Sequence, residues 1–308
     1  MLFIVGASGK LGFATLSSVL EHKLISADQV TCTTSSASGA EKLQATGVSV
    51  AHANWDDSQS HWERTLAGCT KLFLISSSRI AKDFHDAPDG KGREADHLRV
   101  LLAAQAAGVQ HVYYTSLAFA NPSQSRVMKA HERTEAWLQQ QSGAMKWTVL
   151  REGLYNESWP LYVGHYDIAT GDDRSTVRVA GDCKINWTSI ADLGLATALI
   201  LAAPAGEWED RTCYLAQSQA YSLKEIAAMV SKIKGKEVEL QIVERRQHEQ
   251  FYVNERGMDA AFIEWWSKTY DALRDGECEI HDPTLDRLLE KRGVTPKSME
   301  DTLREMLK

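Results

Sequence analysis

The 308-residue chain contains no apolar run near the roughly 20 residues that a membrane-spanning helix needs. Its first apolar run, Leu2 to Val5, is too short for the core of a secretory signal and leads straight into a glycine motif. Cysteine is sparse: Cys32, Cys69, Cys183, Cys213 and Cys278 are an odd, scattered set without a C-x-x-C pair. That argues against a disulfide framework or a zinc site and for reduced thiols in a cytoplasmic protein, most simply as small buried hydrophobes. Positive charge is in the minority, with 34 Lys and Arg against 41 Asp and Glu. A net charge of −7 without a basic run lacks the electrostatic footprint of duplex binding, so no nucleic acid and no membrane is expected as a partner. No H-E-x-x-H or local His/Cys cluster suggests a metal, and no G-x-S-x-G elbow suggests a hydrolase.

What is present is ample core material, 44% hydrophobic against 24% charged, in an alternating order. Apolar runs lie at 2–5, 30–34, 48–51, 72–75, 112–115 and 147–150. Between them, Leu11, Thr15, Leu16 and Val19 share one helical face, and Leu98, Leu101, Leu102 and Gln105 another. Strands alternating with helices predict βαβ units and a parallel sheet covered on both faces. After Arg151, loops mix with helical patterns at 190–201, 223–234 and 259–273. The expected fold is α/β. A Rossmann-type doubly wound parallel sheet covers 1–151, and a smaller C-terminal substrate-binding lobe covers most of 152–308. Segments at about 184–215 are expected to return to the large sheet, through 184–187 and 212–215.

Gly6-Ala7-Ser8-Gly9-Lys10-Leu11-Gly12 follows the first strand directly and opens the first helix. The first glycine permits a tight turn, the second lets backbone N–H groups approach a pyrophosphate, and the third lets helix and strand pack closely. The spacing alone is a weak signal; its place between a strand and an amphipathic helix, with more βα units behind it, predicts dinucleotide binding. An acid ending the second strand would accept the ribose hydroxyls of NAD, whereas a cation would attract the 2′-phosphate of NADP. Here Ser35 and Ser36 follow that strand. Their hydroxyls and N–H groups, helped by Lys10 or Lys42, favour NADP (NADPH) over NAD, with a solvated serine-rich loop as the competing reading. Asn54 opens the turn Asn54-Trp55-Asp56-Asp57, placed to edge the adenine, with Asp57 a candidate cap for a helix over 57–67. Ser76-Ser77 and Thr115-Ser116 end the fourth and fifth strands, at the edge where a doubly wound sheet binds its ligand.

These motifs come in a familiar order with Ala130-His131-Glu132-Arg133-Thr134-Glu135, then Thr148-Val149-Leu150-Arg151-Glu152-Gly153-Leu154-Tyr155-Asn156-Glu157, then Ala191-Asp192-Leu193-Gly194. Over nearly its whole length the chain resembles the NmrA-like branch of the atypical short-chain dehydrogenase/reductases. It is most similar to the NAD(P)H quinone oxidoreductase and triphenylmethane reductase members. The resemblance implies a Rossmann domain with a small substrate lobe and NAD(P)H-dependent oxidoreductase activity. Serines stand where the family's reductases often carry arginine after the second strand, and the Tyr-x-x-x-Lys pair of typical members is missing. His131 stands where many relatives carry lysine and where the quinone reductase group carries histidine.

On a helix expected over about 125–141, His131 shares an inward stripe with Val127, Thr134 and Leu138. By itself this is the pattern of a core histidine. The resemblance adds a second reading, in which His131 orients the cofactor or relays a proton and Tyr155 is a hydroxyl donor across the cleft. Tyr155 and Trp159 are also candidates for an aromatic wall against a planar substrate. The expected function is a hydride transfer from NAD(P)H to a planar conjugated small molecule (a quinone, enone or imine-like compound). The alternative is a redox-sensing regulator that binds the dinucleotide and a protein partner without turnover.

Overall fold

The computed structural model describes residues 1–141, 143, 145–169 and 171–308. Seven strands form one parallel sheet: β1 Leu2–Val5, β2 Val30–Thr34, β3 Ser49–His52, β4 Lys71–Leu74, β5 His111–Leu117, β6 Lys146–Glu152 and, from the second half of the chain, β10 Arg211–Leu215. Their order is β10-β6-β5-β4-β1-β2-β3, and every neighbouring pair is parallel. The helices of this body are α1 Lys10–Glu21, α2 Ala37–Gln44, α3 Gln59–Thr65, α4 Glu94–Ala106, α5 Lys129–Gln140 and, after the short α6 Trp159–Tyr162 of the second lobe, α7 Ile190–Ala202.

β1 is buried along its whole length, and its side chains alternate between two apolar layers. Leu2 and Ile4 pack with Leu11, Leu16 and Val19 of α1 and with Leu193 of α7. Phe3 and Val5 pack with Trp62 of α3, Leu101 of α4 and Leu138 of α5. A strand with helices on both faces has no solvent side, hence the unbroken apolar run. The strand order reverses between β1 and β4, which leaves a crevice at their carboxyl ends.

The second lobe contains a three-stranded sheet of β7 Leu154–Tyr155, β9 Ile185–Thr188 and β11 Ala220–Tyr221, and a parallel pair of β8 Thr176–Val179 and β12 Glu239–Ile242. Its core is aromatic. Trp159, Tyr162, Trp187, Trp266 and Tyr270 are buried together, with Tyr162 edge-on to Trp187 at 5.2 Å and to Trp266 at 5.0 Å.

Two expectations are corrected here. Of the two segments expected to rejoin the large sheet, only β10 does so, beside β6; residues 185–188 pair with β7 and β11 instead, because β7 carries the chain off the end of β6 into the lobe. Trp159 is fully buried 5.5 Å from the ring of Tyr166, so it is core and not a cleft wall. The five cysteines are free, and burial pushes the thiols of Cys32, Cys69 and Cys213 up to about 12. Among the described residues no helix is long and apolar enough to cross a membrane, and no group of three or more His, Cys, Asp or Glu residues is placed to hold a metal.

Candidate dinucleotide and substrate site

The glycine turn sits at the crevice, between the end of β1 and the N-terminus of α1. Gly6 has φ +88°, a backbone conformation that side chains rarely adopt, and its carbonyl accepts the Gly9 N–H at 3.1 Å. A Cβ on Gly12 would collide with the Gly6 carbonyl and come within 2.8 Å of Ala7 Cα and Ile75 Cδ1. A Cβ on Gly9 would meet just the Gly6 carbonyl, at 3.3 Å, so the outer side of Gly9 is open. A cleft of about 270 Å³ lies there, lined by Gly6, Ser8, Gly9, Thr34, Ser35, Asn54, Trp55 and Ser76 among others. None of the described residues lining it is charged; the positive end of α1 supplies the attraction for a phosphate. Ala7 and Leu11 are buried beneath the turn and support it, while Ser8 and Lys10 face outward.

At the end of β2, Ser35 is exposed and no carboxylate follows it. Ser36 has a structural duty, since its hydroxyl accepts the Gly39 N–H at 3.1 Å and caps α2. Lys42 lies 3.6 Å over the ring of Phe13, on α1. In the next turn, Asn54 is locked by Asp57: its backbone N–H and side-chain amide donate to the two carboxylate oxygens at 2.8 and 2.9 Å. The expected cap is therefore corrected. α3 begins at Gln59 with Ser58 as its cap, and Asp57 holds the turn instead. Asp56 pairs with Arg79 at 2.8 Å.

The hydroxyl residues at the ends of β4 and β5 divide. Ser76 lines the cleft, and its N–H donates to the Thr115 hydroxyl at 2.9 Å, which ties the two strand ends together. Ser77 is buried and donates to Asp96 of α4 at 3.0 Å; Ser116 is buried and donates to Glu135 of α5 at 2.5 Å. Glu135 in turn holds Arg151 at 2.6 Å. The expectation that both hydroxyls face the ligand is corrected, because Ser77 and Ser116 are turned inward onto the carboxylates of α4 and α5.

His131 is buried beside Tyr114 and His97, and the hydrogen bonds determine which nitrogens carry protons. His97 Nε2 accepts the Ser77 N–H at 2.8 Å, so its Nδ1 carries the hydrogen and donates to Thr134 Oγ1 at 2.9 Å. Thr134 passes its own hydrogen to the Ala130 carbonyl at 2.7 Å. Tyr114 Oη, 3.0 Å from His131 Nδ1, then donates to it, and the Thr115 backbone also meets the ring. Burial, with Arg93 and His97 adding to it, holds the His131 ring well below the usual histidine range. The buried ring, paired with Tyr114, stands as a support beneath the strand end that carries Thr115.

Tyr155 is half-buried at the start of the lobe and lies 2.7 Å from Glu152 Oε2. Burial, then the neighbouring Glu152, raises its hydroxyl well above the usual tyrosine range. Glu152 was missed in the sequence. The available signal was a carboxylate ending a strand that is buried from Trp147 onward. Trp55 and Thr34, both at the cleft, were also missed as site residues.

Comparison with known proteins agrees with this geometry. The family model described as "NmrA-like family" matches residues 1–268. The chain is 33% identical over 241 residues to quinone oxidoreductase 2 of Escherichia coli, covering 78% of this chain and 77% of that protein. It is 27% identical over 311 residues to an NmrA-like family domain-containing oxidoreductase of Aspergillus flavus, covering 99% and 94%. Among solved structures, it superimposes with TM-score 0.81 and 26% identity on the NADPH-dependent quinone oxidoreductase of Escherichia coli complexed with NADPH, over 100% of both chains. The Citrobacter sp. triphenylmethane reductase complexed with NADP(H) gives TM-score 0.81 at 25% identity, again over 100% of both chains. A strand-turn-helix built on Gly6, Gly9 and Gly12, a reversal of strand order beside it and a family match over most of the length converge: the chain belongs to the NmrA-like family.

Proposed function

We propose that this NmrA-like oxidoreductase passes hydride from NADPH to a planar conjugated small molecule of the quinone, enone or imine type. The observation that carries the reading is the cleft itself. It is an uncharged crevice at the strand-order reversal, with the open side of Gly9 and the α1 N-terminus on one wall and Ser35, not an acid, at the end of β2. The residues fit a dinucleotide. The 6–12 turn would hold the pyrophosphate, Ser35 and the N–H groups around Ser36 and Lys10 the 2′-phosphate, Asn54 and Trp55 the adenine, and Ser76 and Thr115 the nicotinamide ribose. When bound, the dihydronicotinamide supplies the hydride; the protein's part is to orient the reactants and to provide a proton. Tyr155 is the proton donor in this reading, and Ser77, Ser116 and His131 hold the strand ends in place from below.

The test is a titration of the purified protein with NADPH and NADH, followed by a panel of quinones, enones and conjugated imines, reading loss of nicotinamide absorbance. Tight NADPH binding with turnover of at least one acceptor class is expected. Binding without any turnover would overturn the reductase reading in favour of a non-catalytic dinucleotide sensor.

A further inference from the structure

Glu152 ends β6 between Leu117 of β5 and Leu215 of β10, at the carboxyl edge of the sheet. Gly153 then turns the chain through a gap that no side chain would fit. Its N–H donates to the Leu215 carbonyl at 2.8 Å, and a Cβ there would strike the Thr188 hydroxyl and lie 2.8 Å from the Asn186 carbonyl. This crossing brings Tyr155 back onto Glu152, with Tyr155 Oη 2.7 Å from Glu152 Oε2. The second carboxyl oxygen, Oε1, is fully buried and has no hydrogen-bond partner among the described residues. Arg151 does not neutralise the carboxyl; it points to the opposite face, where Glu135 and Tyr214 hold it. The other ionisable groups acting on Tyr155 are Tyr162 and Glu157, both acidic. A buried carboxylate without a cation is costly, so the favoured state is the neutral acid. Burial accordingly pushes Glu152 up to about 8, against a smaller downward pull from Tyr155.

We propose that Glu152 is a positioning residue and proton store for Tyr155, holding the phenol so that its hydrogen is free for the reduced acceptor and replacing that hydrogen after each turnover. This deepens the reductase reading and rests on it. In the structure the phenol donates to Oε2; as the neutral acid, Glu152 donates its Oε2 hydrogen to the phenol oxygen instead, which frees the phenol's own hydrogen for the reduced acceptor. The acceptor gains two electrons and one hydrogen as hydride, and its anionic form takes the Tyr155 proton: the phenol O–H breaks as the acceptor–H bond forms. The phenolate then takes the Glu152 proton, and the carboxylate regains one from water. Once Glu152 is ionised the hydrogen bond reverses, the phenol donates to Oε2, and its hydrogen is withdrawn from the substrate. An isolated buried acid has no such effect on catalysis.

The experiment compares pH–rate profiles of the full-length protein with Glu152→Gln, Glu152→Ala and Tyr155→Phe, together with infrared difference spectra across pH before nucleotide is added. The unmodified protein should show a neutral carboxyl band that disappears near pH 8, absent from Glu152→Gln, and kcat should fall through the same pH. Tyr155→Phe should lose about a hundredfold in kcat and Glu152→Ala about tenfold, with the KM for NADPH little changed. Glu152→Gln, which still donates to the phenol but cannot ionise, should lose the alkaline fall and retain more kcat than Glu152→Ala. If turnover stands but the folded Glu152→Gln protein keeps the original alkaline fall, or the infrared band shows Glu152 ionised at neutral pH, the role of Glu152 is overturned and the reductase reading survives. If the unmodified protein binds NADPH and reduces no acceptor, both fail.

Discussion

Tyr114 donates its phenolic hydrogen to His131 Nδ1 across 3.0 Å, which fastens β5 to α5 directly beneath the strand end that carries Thr115. Both groups are buried, and Tyr114 has His97 on its other side at 3.3 Å. Replacing His131 by alanine therefore strands a phenol in the core, at a cost of about 1–3 kcal/mol. Thermal unfolding of His131→Ala should show that loss, with weaker NADPH binding as the Thr115 end loosens. A fully stable variant with kcat reduced by about a hundredfold would instead make the ring a proton donor.

Acid should destabilise the fold before the ordinary surface carboxylates titrate. Burial holds His97 and His131 well below the ordinary value of 6.5, and brings His111 down to about 4. Below pH 6.5 the unfolded chain binds protons that these buried rings refuse, so their contribution is present above that pH and is lost as the pH falls toward 4. Each ring should add on the order of 1 kcal/mol per pH unit to the slope. Denaturant titrations at pH 7, 6 and 5 measure it; equal stability at all three would refute neutral burial.

The glycines of the turn should separate by readout. Gly9→Val fills the open side facing the cleft, so NADPH affinity should fall at least about tenfold while stability changes by no more than about 1 kcal/mol. Gly12→Ala forces a methyl against the Gly6 carbonyl and Ile75, and should instead lose about 1–3 kcal/mol of stability. Calorimetric binding and unfolding on both variants would expose the assignment as wrong if the two effects were exchanged.

Nucleotide choice is tested at Ser35, which is exposed, whereas Ser36 is committed to capping α2. A carboxylate in Ser35→Asp repels a 2′-phosphate and accepts ribose hydroxyls, so NADPH should weaken about tenfold relative to NADH. An unmodified protein that already prefers NADH would refute the serine argument.

Much of this molecule could be read from its order of residues, for local reasons. β1 and β2 begin and end where the apolar runs do, and the inward face of α1 includes Leu11, Thr15, Leu16 and Val19. The turn at 6–12 was legible because each glycine answers a backbone requirement set by its immediate neighbours. Tertiary structure decided the rest. Asp57 and Ser58 are both good caps, and the choice between them followed from Asn54, whose amide and N–H claim the Asp57 carboxylate. Trp159 could have faced a ligand or a core, and the aromatic cluster of the second lobe took it. The neutrality of His131 follows from its burial, with Arg93 and His97 adding to it and Tyr114 of β5 paired with its Nδ1, all brought there from other parts of the chain. Glu152 and Tyr155 are close in sequence, yet what sets their protonation is burial without a cation, and burial is a property of the assembled chain.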